Sequence, residues 1–298
     1  MTLRRKIESN QFVVCGEIGP PQSCDPDDIR DKAKHFKGYV DAVNITDNQT
    51  AIVRLSSIAS AKILLDEGVE PIMQMTCRDR NRLAMQSDLL GAAALGIRNV
   101  LCLTGDYQTF GDQPEARGVF DLDSIQLIAA VATMNSGFLL SGCEMKKAPE
   151  FFIGAAANPF AEPFEMRLIR LHKKITAGAH FIQTQPVFDL EVFTRWMERV
   201  VEMGLHERVA ILAGVMPVRS VKTLNWMKKR VPGMRIHDDY INRMNGAREP
   251  EEEGVAMAVE MIRTLKDMRG VRGIHLMPAM WESITPTIIR EAGLHIAQ

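Results

Sequence analysis

Residues 99–103 read NVLCL and residues 209–215 read VAILAGV, and in both runs apolar residues follow one another instead of alternating with polar ones. Strands of this composition lie in sheets that are covered on both faces, and such sheets are parallel. Each run is followed by a longer amphipathic stretch with the periodicity of a helix. The two runs therefore predict a parallel sheet that is built from strand–helix units.

The same strand–helix unit occurs eight times along the chain. The predicted strands are residues 12–18, 42–45, 71–76, 99–103, 151–156, 181–184, 209–215 and 273–277. The predicted helices after them are residues 26–36, 53–66, 81–95, 121–134, 163–177, 190–203, 220–230 and 281–292.

Two further segments complete the pattern. Residues 231–270 contain extra helix before the last strand, including residues 250–268, and residues 136–150 resemble a hairpin or a lid. Eight such units in 298 residues predict a parallel (β/α)8 TIM barrel that spans residues 1–298 as one domain. The alternative is an open doubly wound sheet, which is disfavoured because no strand is followed by G-x-G-x-x-G.

The composition excludes several classes of protein. Apolar residues make up 46% and charged residues 24% of the chain, which is typical of a globular protein. The chain has 36 Lys and Arg residues and 37 Asp and Glu residues, so its formal net charge is -1. No general attraction to nucleic acid or acidic lipid is therefore expected. No apolar run approaches the roughly 20 residues of a membrane helix, and the N-terminus lacks a signal-peptide pattern. We expect a cytoplasmic protein without nucleic-acid partners and without membrane insertion.

The cysteines and histidines do not predict a metal site. The five cysteines include no C-x-x-C pair, and the seven histidines include no pair at the spacing of metal ligands on a helix. His172, His180 and His275 are isolated in the sequence, and each of them is expected in the core or on the surface.

The predicted barrel gives a place to the catalytic groups, because in such barrels they lie at the carboxyl ends of the strands. Two carboxylates fall there and would share one mouth: Glu17 in the first strand and Asp106 after the fourth. Desolvation of Glu17 within the apolar segment VVCGEIGPP favours its protonated form, which makes it a candidate general acid. The alternative for Glu17 is a structural pair with a neighbouring arginine. Asp106 follows Gly105, which lets the backbone approach a ligand, and its alternative is a turn-forming aspartate.

Three other side chains are candidates for binding. Gln185 precedes a proline and carries a donor and an acceptor, which suits the edge of a lactam-like heterocycle; its alternative is a loop amide. Lys173 and Lys174 would supply two cations for a diphosphate, and their alternative is a solvated helix face.

Four segments carry a resemblance to a known family. They are CGEIGPP at residues 15–21, LTGD at 103–106, AGAHFIQTQPVFD at 177–189 and GVMPV at 214–218. In this order, over about residues 10–296, the chain resembles the methylenetetrahydrofolate reductase family of the bacterial type. The resemblance implies a flavoprotein of one-carbon metabolism and methionine biosynthesis that reduces 5,10-methylenetetrahydrofolate to 5-methyltetrahydrofolate.

The resemblance also implies roles for three residues. Glu17 would protonate N10 of the folate, so that the ring between N5 and N10 opens to an iminium cation. Asp106 would stabilise that cation and help to bind the pterin, and Gln185 would recognise the pterin edge. The hydride would come from the reduced flavin, since no protein side chain supplies one.

The cofactor contacts that the resemblance implies lie at the strand ends and on the helix after strand five. They are Asn44, Thr76, Thr104, Gly105, Asp106, Ala156, Asn158, Lys173 and Lys174. The cofactor is expected to be FAD, with FMN as the alternative.

The chain departs from the family pattern at several positions, three of them near the carboxyl ends of predicted strands. The pattern has His at Gln74, Arg at Thr104 and Tyr at Ala156. With these residues the chain is similar to reductases that work beside a second subunit. These departures lead to the hypothesis that electrons arrive from a protein partner instead of NAD(P)H, in an oligomer or complex.

Two other functions remain open at this stage. One is a flavin-free barrel that holds folate for a methyltransferase. The other is a non-catalytic subunit of a redox complex, which would not need both Glu17 and Asp106.

Overall fold

Eight parallel strands close into a barrel in the computed structural model, which describes residues 1–231 and 233–294. Each strand pairs with the strands before and after it, and β8 pairs with β1. The strands are β1 Val13–Ile18, β2 Ala42–Ile45, β3 Pro71–Thr76, β4 Asn99–Leu103, β5 Phe152–Ala157, β6 Phe181–Pro186, β7 Ala210–Val215 and β8 Val271–Leu276. The predicted parallel (β/α)8 barrel is therefore confirmed.

The helices surround the barrel. They are α1 Leu3–Glu8, α2 Asp27–Ala33, α3 Ser57–Asp66, α4 Arg82–Ala94, α5 Ser124–Asn135, α6 Phe164–Thr176, α7 Leu190–Glu202, α8 Val221–Arg230, α9 Asp238–Gly246, α10 Pro250–Lys266 and α11 Thr285–Glu291. Side-chain caps fix several starts, such as Asp123 before α5, whose carboxylate accepts from the N–H groups of Ile125 and Gln126. Among the described residues, no helix is long and apolar enough to cross a membrane.

Several boundaries differ from the prediction. The helix predicted at residues 53–66 begins at Ser57, because the Ser56 hydroxyl accepts from the N–H of Ala59 and caps the helix there. Strand β6 runs two residues beyond residues 181–184, and residues 231–270 form two helices, α9 and α10. The predicted domain also includes residues 232 and 295–298, which lie outside the described residues.

Two short segments complete the comparison with the prediction. Helix α1 was not predicted. Within the predicted hairpin at residues 136–150, Phe138 and Glu144 form an antiparallel bridge.

The amino-terminal end of the barrel interior is filled with apolar side chains. Helix α1 covers this end with Leu3 and Ile7, which pack on the inward-facing residues of the strands. We call the inward-facing set the apolar base; its members are Val13, Cys15, Ala42, Ile72, Leu101, Phe152, Phe181, Ala210 and Leu212. A site for a ligand therefore has to lie toward the other end, as in other barrels of this kind.

Candidate active site

The inward-facing side chains become polar toward the carboxyl ends of the strands. On β1, Val13 and Cys15 belong to the apolar base, and alternation along the strand places Glu17 on the same inner face. The same alternation places four more polar side chains inside the barrel: Asn44 on β2, Gln74 on β3, Gln183 on β6 and His275 on β8. We call these five residues the polar cup.

Two members of the cup are neighbours of the Glu17 carboxyl group. Its Oε2 accepts a hydrogen bond of 3.2 Å from Nε2 of Gln74. The same oxygen lies 3.2 Å from Nε2 of His275, and the Glu17 side chain is 15% exposed. The carboxyl group therefore points into the barrel but remains reachable from the mouth.

These surroundings correct the apolar setting that the first strand suggests. The sequence neighbours Gly16 and Ile18 face away from the interior, so the environment of Glu17 is set by side chains from other strands. The alternative of an arginine pair is also wrong, because the neighbours of the carboxylate are Gln74 and His275.

Five buried polar atoms of the cup have no hydrogen-bond partner within residues 1–231 and 233–294. They are Oδ1 of Asn44, both amide atoms of Gln183 and both ring nitrogens of His275. His275 is close to Glu17, but its ring orientation gives no hydrogen bond. Buried polar groups in proteins are nearly always bonded. The cup therefore fits a polar ligand or ordered water that completes these bonds.

The cup also has room on one side. In such barrels, alternate strands contribute the side chains of one layer, and the register places Glu17, Gln74, Ala156 and Gly214 together. Glu17 and Gln74 are polar, whereas Ala156 carries only a methyl group and is partly exposed. Gly214 leaves no such space, because a Cβ there would lie 2.5 Å from the carbonyl oxygen of Thr184. This layer therefore offers hydrogen-bonding groups and, beside Ala156, space for the edge of a flat ring.

Asp106 and Gln185 lie at the rim above the cup. Both side chains are exposed, at the carboxyl ends of β4 and β6. Gly105 has φ +94, and a Cβ there would lie 2.9 Å from Cβ of Arg78, so this turn requires glycine. The buried Arg78 guanidinium donates to the backbone carbonyl of Asp106 at 3.4 Å and fixes the turn.

Two of the predicted cofactor residues use their hydroxyl groups within the protein. Thr76 donates from both its backbone N–H and its hydroxyl to Oδ2 of Asp47, each at 2.8 Å. Arg80 donates to the same oxygen at 2.7 Å. The Thr104 hydroxyl accepts from the N–H of Ser124 at 3.1 Å. Thr76 thus keeps only acceptor capacity for a ligand.

The residues after β5 are also partly engaged. Lys174 donates from Nζ to the carbonyl of Ala156 at 2.6 Å, and burial lowers the pKa of this lysine to about 8. Lys173 is exposed. Asn158 donates to the carbonyl of Gly233 at 3.3 Å and accepts from the N–H of Phe160 at 3.0 Å. Of the two predicted diphosphate cations, Lys173 is exposed and Lys174 stabilises the end of β5.

Sequence reasoning missed three members of the cup. Gln183 was not recognised, Gln74 was noted only as a departure from a pattern, and His275 was expected in the core or on the surface. Alternation from the inward-facing Phe181 and Ile72 would have placed Gln183 and Gln74 inside. Within the described residues, no group of three or more His, Cys, Asp or Glu side chains is arranged to hold a metal ion.

A (β/α)8 barrel with a carboxylic acid in a polar cup at the carboxyl ends of its strands belongs to the barrels that carry an active site there. The sequence profile described as methylenetetrahydrofolate reductase matches residues 2–293. The chain belongs to this family.

Relatives with assigned names agree with this membership. A probable methylenetetrahydrofolate reductase (NADPH) of Caenorhabditis elegans is 27% identical over 255 residues, which are 83% of this chain and 36% of the relative. The 5,10-methylenetetrahydrofolate reductase of Pectobacterium carotovorum is 27% identical over 224 residues, 70% of this chain and 64% of the relative. That of Escherichia coli is 26% identical over 216 residues, 70% of this chain and 65% of the relative. The chain thus spans about a third of the nematode relative and just under two thirds of the bacterial ones.

Solved structures share the fold. A Clostridium thermocellum protein, described as binding two copies of 5-methyl-5,6,7,8-tetrahydrofolic acid, superposes with a TM-score of 0.66 at 15% identity over 97% of both chains. A 2,3-dimethylmalate lyase superposes with a TM-score of 0.52 at 12% identity over 98% of this chain and 84% of the other. At these identities the likeness shows the fold alone.

Proposed function

We propose that this chain is a flavin-dependent reductase that converts 5,10-methylenetetrahydrofolate to 5-methyltetrahydrofolate. The observation that carries the proposal is the Glu17 carboxyl, which points into the barrel mouth beside Gln74 and His275. Membership of the methylenetetrahydrofolate reductase family supports the choice of reaction.

Glu17 is the proton donor of the proposed reaction. It delivers a proton to N10 of the folate, which lets the C–N10 bond break and leaves an iminium cation at N5. The hydrogen bond from Gln74 fixes the direction of the carboxyl group, so that the proton is presented toward the mouth. Asp106, whose side chain is exposed at the rim, lowers the energy of the cation by its negative charge. Gln185 at the same rim pairs with the pterin edge.

The polar cup fits a flavin, because it combines unpartnered polar atoms with the space beside the small side chain of Ala156. A bound reduced flavin supplies the hydride that converts the methylene carbon to a methyl group. Asn44 offers its free Oδ1 and Thr76 an acceptor oxygen to the ring edge. FAD is the proposed form, with FMN as the alternative.

The remaining cofactor contacts are proposed from the backbone and side-chain groups that are available to a ligand. Gly105 offers backbone in a turn without a side chain, and Lys173 offers an exposed ammonium for a phosphate group. The side chains of Thr104, Asn158 and Lys174 serve mainly to hold the surrounding structure. Electrons reach the flavin from NAD(P)H or from a protein partner, in an oligomer or complex in the cytoplasm.

The role of Glu17 is tested with two half-reactions of the reduced protein. In Glu17→Gln, reoxidation by 5,10-methylenetetrahydrofolate is expected to slow about 10²- to 10⁴-fold, because the general acid is lost. Reoxidation by menadione, a quinone that needs no proton at N10, is expected to be unchanged. The matched control is Glu70→Gln at the opposite end of the barrel, which should alter neither rate.

The outcomes separate the proposal from its alternatives. Equal folate-dependent rates in Glu17→Gln and the wild type contradict the assignment of the acid. Folate binding by a colourless protein indicates the flavin-free barrel of a methyltransferase. A flavin that menadione oxidises and folate does not indicates a non-catalytic subunit of a redox complex.

A further inference from the structure

Gln183 is a buried polar side chain to which the proposed reaction gives no role. It lies on the inner face of β6, two residues before Gln185, and is 2% exposed. Neither its Nε2 nor its Oε1 has a hydrogen-bond partner in the part of the chain that the structure describes. A buried amide without a partner is costly, so the side chain requires a partner from outside the chain.

The neighbours of Gln183 do not supply that partner. The register places Gln183 in one layer with Asn44, Leu101 and His275, directly beneath the layer of Glu17. Leu101 is apolar, and the polar group that faces the Gln183 amide is the thiol of Cys15. Burial raises the pKa of the Cys15 thiol, and a neutral thiol is a weak partner. All five unpartnered atoms of the cup thus belong to this single layer.

We propose that Gln183 binds the N–H and C=O (lactam) edge of the planar heterocycle that occupies the polar cup. A primary amide presents a donor and an acceptor side by side, which is the complement of a lactam. The inference rests on the proposed function, because that function brings two rings with such an edge, flavin and pterin, to this mouth. Ala156 is the register partner of Gln183 on β5 and carries only a methyl group, so a ring edge reaches Gln183 on that side without meeting a bulky side chain.

Gln183 therefore differs from Gln185, which follows it by two residues on β6. The pairing with β7 shifts register between Gln183 and Pro186. Gln185 is exposed at the rim, whereas Gln183 is buried inside the barrel. A ring that pairs with Gln183 is inserted into the barrel along its edge. This residue selects for rings that carry a lactam at that edge.

The test compares the wild type with Gln183→Leu, which keeps a similar size and removes both polar atoms. FAD is titrated into flavin-free protein, and 5-methyltetrahydrofolate is titrated into flavin-loaded protein. The dissociation constant of one of them is expected to rise about 10- to 100-fold, because two buried hydrogen bonds are lost. The ligand that loses affinity identifies the ring that Gln183 contacts. If that ring is flavin, FAD methylated at N3, which lacks the lactam donor, binds both proteins equally.

A second readout separates ligand binding from a structural role. The unfolding temperature of ligand-free Gln183→Leu is expected to rise, because an unpartnered buried amide has been removed. Gln183→Met serves as the second variant if the leucine protein does not fold. Gln86→Leu is the matched control: Gln86 bonds to the backbone of Arg82 and Leu140 on the outer layer of helices, so both dissociation constants should stay unchanged.

The failures can be told apart. Unchanged dissociation constants for both ligands overturn the assignment of Gln183. A lower unfolding temperature in both variants also overturns it, since it marks an amide that stabilises the fold through internal water. A wild-type protein that binds neither FAD nor folate contradicts the proposed function as well, whereas one that binds both leaves that function standing.

Discussion

The two ends of the barrel interior are formed by the same strands but have opposite character. At the amino-terminal end, Phe152 and Phe181 stack at 5.3 Å between ring centroids and pack in one cluster with Leu3 of α1. At the carboxyl end, the same alternation places polar side chains inside the barrel, with Glu17 in one layer and Gln183 in the layer beneath it. Several polar atoms of these layers have no hydrogen-bond partner among the described residues. The base consists of packed apolar side chains, whereas the cup contains buried polar atoms that have no partner among the described residues.

The difference separates stability from chemistry along the barrel axis. Buried apolar side chains in the base contribute to the free energy of unfolding in proportion to the surface they remove from water. The cup contributes less to the free energy of unfolding, because buried polar groups without hydrogen-bond partners destabilise the folded state. Substitutions in the base should therefore change stability, and substitutions in the cup should change binding and rate.

The largest effect on stability is expected for Phe181→Ala in the apolar base. Phe181 is fully buried, and removal of its ring is expected to lower the free energy of unfolding by about 3–5 kcal/mol. Chemical denaturation measures the change, and Phe110→Ala, at a side chain that is 61% exposed, should change it by less than about 0.5 kcal/mol. If Phe181→Ala had the free energy of unfolding of the wild type, the assignment of fold stability to the apolar base would be wrong.

A smaller effect, on rate, is expected for Gln74→Leu in the cup. The variant removes the 3.2 Å hydrogen bond to Glu17, and one neutral hydrogen bond corresponds to about a 2- to 10-fold change. We expect kcat for folate reduction to fall by this factor while KM stays nearly constant, in steady-state assays. Gln74→His, which keeps an N–H donor, should retain most of the rate. A changed KM with constant kcat would instead assign Gln74 to folate binding.

The smallest effect concerns a carboxyl group at the amino-terminal end. Burial raises the pKa of Glu70, while the side chain of Asn99 and the N–H of Leu3 donate to its carboxylate and oppose the shift. A raised folded-state pKa means that the stabilising contribution is fully present below the unfolded pKa and is lost as pH rises through the folded value. The free energy of unfolding of the wild type, relative to Glu70→Gln, should therefore fall as pH rises from about 4.5.

Denaturant titrations across this pH range measure the difference. The two proteins can also differ in their free energy of unfolding by an amount that does not depend on pH. Only the part of the difference that changes with pH reports the ionisation of the Glu70 carboxyl. A difference that grows with rising pH would mean that the hydrogen bonds to Glu70 outweigh its burial.

Much of the fold follows from local sequence. Strands β2, β3 and β4 match their predicted bounds, since continuous apolar runs between turn residues leave little choice. The start of α3 was misplaced because residues 53–55 continue the helical periodicity, while the cap is provided by Ser56. Helix α1 was missed because its six residues are held in place by the apolar base and not by local propensity.

The site was less accessible to sequence reasoning. Glu17 and Asp106 were placed at the mouth by the barrel rule alone. Glu17 lies close to His275 because β1 pairs with β8 and closes the barrel. The two strands are far apart in the sequence, so no local pattern predicts this contact. The engagement of Thr76 by Asp47 and of Lys174 by a backbone carbonyl depends on loop geometry that no spacing rule encodes.

Mixing the reduced wild-type protein with 5,10-methylenetetrahydrofolate in the absence of oxygen tests the proposed reaction most directly. We expect the absorption of oxidised flavin to return and one molecule of 5-methyltetrahydrofolate to form for each flavin. A purified protein without flavin, or a flavin that stays reduced while no 5-methyltetrahydrofolate appears, would contradict it.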